Sequence, residues 1–215
     1  MEIPPKINNI IQRILESEDR WKALYMASWG CANFYIKPVF KYTYPALWDK
    51  EVPFGLPASK KKWHKYTPAK LYEILTAKDM EFTLGHLQTL FSLFEELVEE
   101  IVSVAYDGQE IRADKFGNLQ KFLLGEQPYD KFKIDINEND IKELKLAKET
   151  RNCFIHNNSK IDKRWIDTYK EVRGTNIGIE IGEELSKYVY VPQVEDWHEL
   201  VVRIVNKTKE AVAIS

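Results

Sequence analysis

The stretch DMEFTLGHLQTLFSLFEELVEEIVSVAY, residues 79–106, carries the strongest periodic pattern in the chain. Its apolar residues recur every three or four positions, which is the spacing of one face of an α-helix. These residues are Phe82, Leu87, Leu90, Phe91, Phe94, Leu97, Val98, Ile101 and Val102. The glutamates at positions 95, 96, 99 and 100 lie partly opposite, and we expect them to face solvent rather than act as paired catalytic carboxylates. The pattern predicts one long central helix and an all-α fold.

Helical patterns also cover most of the chain on both sides of this central helix. Further helices are predicted at 6–37 (two helices, the second capped by Ser17), 68–77, 115–124, 138–157, 163–172 and from Pro192 onward. Capping signals set several of these boundaries. Thr67 precedes the proline that starts the helix 68–77, Gly125 ends the helix 115–124, and Asn137 precedes the helix 138–157. Between glycines, residues 177–181 and 187–191 are predicted to pair as a small β-hairpin.

Residues 38–68 differ in amino-acid composition from the rest of the chain. Five of the nine prolines fall here among many aromatic residues, and proline at this density prevents a long helix. The run Lys60–Lys65 could contact RNA, although a solvated loop is the favoured interpretation of such a charge run. The prediction is therefore a single helical domain over 1–215, with N-terminal helices at 6–37, an irregular Pro/aromatic-rich insertion at 38–68 and the hairpin before the last helix.

Composition limits the classes of function. The 215 residues contain 31 Lys and Arg against 33 Asp and Glu, a net charge of -2, which excludes a globally basic nucleic-acid binder but allows a local basic patch. No apolar run approaches the ~20 residues of a bilayer-spanning helix, so no membrane association is expected. The first residues show no secretory signal, and Cys31 and Cys153 are predicted to be buried, reduced thiols. A cytoplasmic location is therefore expected.

Several catalytic classes lack their sequence signals. The glycine patterns of P-loop, dinucleotide-binding and α/β-hydrolase proteins are absent. His64, His86 and His198 have no second histidine or cysteine at ligand spacing, and Glu195 with His198 falls short of a tetrahedral shell. We therefore predict no metal site and no cofactor.

The predicted helix 138–157 places a charged residue on its apolar stripe. That stripe consists of Ile141, Leu144, Ala147, Phe154 and Ile155. Arg151 falls near its middle, where a guanidinium must pair with a structural carboxylate, reach solvent past the helix end, or bind an anion. His156 is about 140° away in azimuth and only ~7.5 Å along a regular helix, so both reach one cleft only if the last turn is distorted or the cleft spreads around the helix.

The stretch Arg151-Asn152-Cys153-Phe154-Ile155-His156-Asn157 resembles the signature of the HEPN superfamily. That signature is an arginine, a polar residue, three mostly apolar residues, a histidine and often an asparagine. The resemblance extends over about residues 78–215, because HEPN domains are helical bundles that carry the motif near the end of a late helix. The N-terminal helices and the insertion are not part of it.

The resemblance implies a metal-independent endoribonuclease of the toxin or antiviral-defence type, an RNA hydrolase that leaves 2′,3′-cyclic phosphate ends. In this reading His156 is the general acid or base, Arg151 clamps the scissile phosphate, and Asn152 and Asn157 support the cleft. Lys148 and Lys160 are expected to contact RNA because they lie nearby in sequence. A non-catalytic HEPN-like module that binds RNA or nucleotide remains the alternative.

The resemblance also implies assembly. HEPN clefts usually form where two protomers bring their motifs together, so we expect a homodimer through the motif-bearing helix, and an antitoxin or effector partner is possible. The position of Arg151 on an apolar stripe adds a second argument. An interface between protomers would hydrate its charge and let a phosphate serve as the counter-ion.

Overall fold

The computed structural model of the chain describes residues 3–54, 64–77, 79–132, 134–174 and 178–214. These residues are predominantly helical, as the sequence predicts. They group into two compact units, one made of Met1–Glu18 and Leu84–Ser215 and the other of Asp19–Thr83. This grouping does not test the expectation of a single domain over residues 1–215, which stays a prediction. None of the helices in the described ranges is both long and apolar enough for a bilayer crossing.

The described part of the chain contains seven α-helices. They are α1 (Pro5–Gly30), α2 (Pro68–Ala77), α3 (Asp79–Ala105), α4 (Phe116–Leu124), α5 (Glu138–His156), α6 (Lys163–Arg173) and α7 (Val191–Ile214). The helices predicted from residue 68 onward are confirmed to within one or two residues at each end. Their capping signals are confirmed as well: the Asn137 side chain accepts a hydrogen bond from Asp140 N, and Gly125 has the left-handed φ of 64° that ends α4.

The central helix α3 is the core of the larger unit. Its apolar residues from Leu84 to Val102 are almost completely buried, and the first turns of α1 add a stripe of buried isoleucines. The helix α5 packs mainly against α6 and also against α7 and α4. Burial of this kind stabilises a fold by about 25 cal/mol for each Å² of apolar surface removed from water. The motif-bearing helix is therefore held on several sides.

The N-terminal prediction of two helices is wrong in detail. Instead of a break at Ser17, α1 runs without interruption to Gly30, and the Ser17 hydroxyl donates to Ile14 O at 2.7 Å within the helix. A serine that bonds back to the preceding turn is satisfied inside a helix, so its presence does not require an N-cap.

The segment 38–68, predicted as an irregular insertion, contains short regular elements in its described residues. A π-helix at Cys31–Thr43 passes through Pro38, and a 3-10 turn follows at Pro45–Leu47. Two short antiparallel strands then pair, β1 (Val52–Phe54) with β2 (His64–Tyr66). Most of the Lys60–Lys65 run, residues 60–63, lies outside the described residues.

The predicted hairpin at 177–191 is wrong. Residue 177 lies outside the described residues, Leu185–Lys187 forms a 3-10 turn, and α7 begins at Val191. Leu185 and Val189 are both fully buried and lie four residues apart. This spacing fits one face of a helical turn as well as one face of a short strand. The backbone around Glu183 pairs instead with the segment after α5: Ile161 N donates to Glu183 O at 2.8 Å.

The two cysteines have different environments. Cys153 is fully buried, as predicted, but Cys31 is exposed, which corrects the prediction of two buried thiols. Cys31 is the first residue of the π-helix, and its neighbour Ala32 takes the buried position. An apolar flank therefore did not determine on which side of the helix Cys31 lies.

Candidate functional site

The helix α5 stays regular to its end, and this determines where the motif residues point. The backbone N–H of Asn157 donates to Cys153 O at 3.1 Å, so the α-helical pattern continues past His156. Without a distortion of the last turn, Arg151 and His156 keep their separation of about 140° around the helix axis. His156 is exposed, whereas only 15% of the Arg151 side chain is exposed. One protomer does not bring both side chains to the same face.

Arg151 pairs with a carboxylate from the central helix. Its Nη2 lies 3.3 Å from Glu95 Oε2, and the Glu95 side chain is only 10% exposed. The structural carboxylate that the sequence left open as a partner is therefore present. The prediction that the acidic face of α3 points to solvent is wrong for Glu95, because this residue faces α5 and is buried.

Lys148 completes a buried cluster around the same carboxylate. Its Nζ lies 2.9 Å from Glu95 Oε1 and also donates to Ala113 O at 3.0 Å, and its side chain is 3% exposed. A lysine buried and paired in this way does not reach a bound nucleic acid, so the expectation that Lys148 contacts RNA is corrected. We call Glu95, Lys148 and Arg151 the buried charge cluster.

The buried charge cluster contains two cations and one carboxylate. In addition, Arg151 Nε is buried and has no hydrogen-bond partner among the described residues. A buried donor without an acceptor costs about 1–3 kcal/mol. The guanidinium is thus anchored on one edge by Glu95 but is not saturated with acceptors.

The two motif asparagines have different roles in the structure. Asn152 is half-buried, and its Oδ1 and Nδ2 lie at the long distance of 3.5 Å from Arg151 Nη1 and Glu149 Oε2. Asn157 Nδ2 donates to Asp162 Oδ2 at 2.9 Å, and Asp162 caps α6 by accepting from Trp165 N. Asn152 therefore borders Arg151, while Asn157 fixes the turn between α5 and α6.

Lys160 lies in that turn and is exposed, and its expected contact with RNA stays a prediction. Its backbone forms an isolated bridge with Glu184, which ties the turn to the segment before α7. Asn158 and Ser159 have left-handed φ values of 52° and 64°. These conformations turn the chain sharply away from the end of α5.

Glu95 is the site residue that sequence reasoning missed, and a signal for it existed. It lies four residues after Phe91 and three before Val98, so a helical projection places it on the apolar face rather than opposite. An acidic residue there requires a cationic partner in the core. Pairing it with Arg151, 56 residues later, needs the packing of α3 against α5, which local patterns do not contain.

A second cluster of titratable side chains joins residues that lie far apart in the sequence. His86 Nε2 and His198 Nδ1 lie 3.0 Å apart in the core, and Glu18 Oε2 lies 3.5 Å from His198 Nε2. Spacing along the chain gave no indication of this contact, since 112 residues separate the two histidines. Within the described ranges, no three His, Cys, Asp or Glu groups are arranged to hold a metal ion.

Cys153 lies on the buried side of the motif. Burial raises the pKa of its thiol to about 11, so the thiol is neutral at physiological pH. The thiolate is the nucleophilic form of cysteine. Cys153 therefore packs the core between Arg151 and His156 and is not a nucleophile.

Comparison of the chain with protein-family models, curated proteins and solved structures finds no match. The resemblance of residues 151–157 to the HEPN signature accordingly rests on the motif and on its position in the helix.

Proposed function

We propose that this chain is a metal-independent endoribonuclease of the HEPN type. The observation that carries the proposal is the Arg151–His156 motif on the last turns of one helix, with the histidine exposed at the helix end. An imidazole that exchanges protons near neutral pH and a guanidinium that binds phosphate are the two groups that RNA cleavage through the 2′-hydroxyl uses. The same resemblance is the basis for a role in a toxin or antiviral-defence system, with an antitoxin or effector as a possible partner. The cytoplasmic location rests on the first residues and the two cysteines and stays a prediction.

The chemistry assigns one task to each side chain. His156 accepts the proton of the ribose 2′-hydroxyl, and the resulting oxyanion attacks the adjacent phosphorus. The bond from phosphorus to the 5′-oxygen breaks, and that oxygen takes up a proton, which leaves a 2′,3′-cyclic phosphate and a 5′-hydroxyl. Arg151 donates hydrogen bonds to the phosphate oxygens, where charge increases in the transition state.

Glu95 fits this assignment as the residue that orients Arg151. A guanidinium has five N–H donors, and Glu95 accepts from only one edge of it. Some of the remaining N–H donors lie on the side of the guanidinium next to Asn152, and Asn152 is half-buried. A phosphate that approaches this side would complete the coordination of a cation that is already held in place.

The angular separation of Arg151 and His156 supports a composite site. If two copies of α5 approach each other, His156 of one protomer can act beside Arg151 of its partner. Glu95 supplies a counter-ion for Arg151 within the protomer, however, so the charge of Arg151 does not require a dimer. The homodimer therefore rests on the resemblance and on this separation of about 140°.

Cleavage assays with matched variants test the proposal. A single-stranded RNA is incubated in EDTA with the wild type, His156→Ala, Arg151→Ala and the control Arg164→Ala, which removes an exposed arginine from α6. We expect cleavage by the wild type and the control and its loss in both motif variants. Equal cleavage by all four proteins would contradict the proposal.

Mixing the two inactive variants tests the composite site. If each site takes His156 from one protomer and Arg151 from the other, a mixed dimer of His156→Ala and Arg151→Ala holds one intact site. We expect mixing to restore part of the activity, while either variant alone stays inactive. No recovery, in a sample shown by light scattering to contain dimers, would place both groups in one protomer.

A second candidate function is a non-catalytic module that binds RNA or nucleotide. The Glu95–Arg151 pair favours it, because an arginine held by an internal carboxylate can serve the fold alone. Binding of RNA by the purified protein without cleavage, and unchanged binding by His156→Ala, would support this candidate over the nuclease.

A further inference from the structure

The unit Asp19–Thr83 differs sharply in charge from the rest of the chain. It contains eleven Lys and Arg against six Asp and Glu, a net charge of +5, within a chain whose net charge is -2. The remaining residues therefore carry a net charge of -7. The local basic region that the overall composition allowed thus coincides with one compact unit.

The same unit holds a disproportionate share of the aromatic residues. Fourteen of the 27 Phe, Trp and Tyr residues lie within its 65 positions. Four of them are more than half exposed within eleven residues: Phe34 (73%), Tyr35 (57%), Tyr42 (66%) and Tyr44 (56%). We call these four residues the aromatic patch. Large rings normally bury much of their surface, so four exposed rings within one short segment are candidates for contact with a ligand.

Lys37 and Lys41 lie between these four residues in the sequence, and each contacts another ring of the unit. Lys37 Nζ is 5.6 Å from the centre of the Tyr72 ring, and Lys41 Nζ is 5.7 Å from that of Trp48. Both distances fall within the range of cation–π attraction. These contacts keep the two ammonium groups close to aromatic surface.

We propose that the aromatic patch, with Lys37 and Lys41, binds single-stranded RNA. Exposed rings stack on bases of any sequence, and lysines contact the phosphates between them, which is how single strands are bound without sequence preference. The interior of a protein interface is instead depleted of charge. Arg151 and His156 belong to the other unit of the chain, and the proposal does not depend on cleavage.

Binding of an RNA that cannot be cleaved isolates this surface from any nuclease activity. The probe is a fluorescein-labelled 2′-O-methyl oligouridine of about 12 nucleotides, and its fluorescence anisotropy is followed in EDTA. The double variant Phe34→Ala/Tyr42→Ala should bind about tenfold more weakly than the wild type, or weaker still, because each lost stack lowers affinity. Tyr42→Phe keeps the ring and should bind like the wild type.

Tyr190→Ala is the matched control, because Tyr190 is 60% exposed but lies in the other unit. It should leave the affinity unchanged. The double variant Lys37→Gln/Lys41→Gln should also lower the slope of log Kd against log salt by about 1.4, the value for two phosphate contacts on a single strand. Circular dichroism of each variant checks that the helices are retained.

Three results would overturn the proposal: no oligouridine binding by the wild type, equal binding by the Phe34→Ala/Tyr42→Ala variant and the wild type, or an equal loss in Tyr190→Ala. Binding of the patch to vesicles of anionic lipid, with none to the oligouridine, would assign it to a membrane surface instead. A wild type that binds the oligouridine but does not cleave RNA would remove the proposed nuclease and leave this inference intact.

Discussion

Glu95 and Arg151 form an ion pair between the central helix and the motif-bearing helix, with Oε2 and Nη2 3.3 Å apart. Lys148 shares the carboxylate from its other side at 2.9 Å. The arginine of the motif is therefore part of the core of the larger unit as well as of the candidate site. This double role determines how variants of the site should behave.

Removing the carboxylate should destabilise the fold strongly. Glu95→Gln leaves Lys148 and Arg151 buried together without their shared counter-ion, and loss of one partner of a buried pair costs about 3–5 kcal/mol. Glu96→Gln is the control, because its pair with Arg13 is exposed and exposed pairs contribute about 0–1 kcal/mol. Urea unfolding measures both variants. Equal midpoints for Glu95→Gln and the wild type would show that the cluster does not support the fold.

A double-mutant cycle should reveal the coupling of the two residues. Arg151→Gln leaves Glu95 paired with Lys148, so it should destabilise the protein less than Glu95→Gln does. The double variant should be more stable than the sum of the single effects predicts, by about 1 kcal/mol or more. His156→Ala should change the free energy of unfolding by less than about 0.5 kcal/mol, because the side chain is exposed. Strict additivity would contradict the observed pair.

The two thiols should differ in reactivity. Cys31 is exposed, whereas Cys153 is fully buried and burial raises its pKa to about 11. A chromogenic disulfide reagent at neutral pH should therefore modify one thiol in the native protein and two in urea. In Cys31→Ser, the native protein should not react. Rapid reaction of both native thiols would show that the core around α5 is open.

Glu183 should stabilise the protein at neutral pH and not in acid. Hydrogen bonds from Lys187, Tyr188 and the Glu180 backbone lower the pKa of its carboxyl to about 2. The unfolded chain binds the proton near pH 4.5, so this stabilisation is complete above that pH and is lost as the pH falls toward 2. The difference in unfolding free energy between the wild type and Glu183→Gln should shrink over this range. A difference that does not change with pH would contradict the assignment.

Helix positions were predictable because their signals are local. Asn137, Gly125 and Thr67 each satisfy or end a neighbouring turn, so a few residues of sequence determine the boundary. The errors arose where local signals are ambiguous. Ser17 fits an N-cap or a helix interior, and the spacing of Leu185 and Val189 fits a turn as well as a strand.

The candidate site was predictable only along α5. The motif and its place near the helix end follow from the sequence, and the regular helix confirms the angular separation of Arg151 and His156. The partners of Arg151 and Lys148 come from α3 and from the chain before α4. Long-range contacts of this kind depend on packing, and a single sequence does not encode them in any local pattern.

Cleavage of RNA in EDTA, with the ends of the products identified, is the most direct test of the nuclease proposal. We expect the wild type to release fragments with 2′,3′-cyclic phosphate and 5′-hydroxyl ends, and His156→Ala, which should fold normally, to release none. Wild-type protein that leaves the RNA intact, or His156→Ala that produces the same ends at the same rate, would contradict the account.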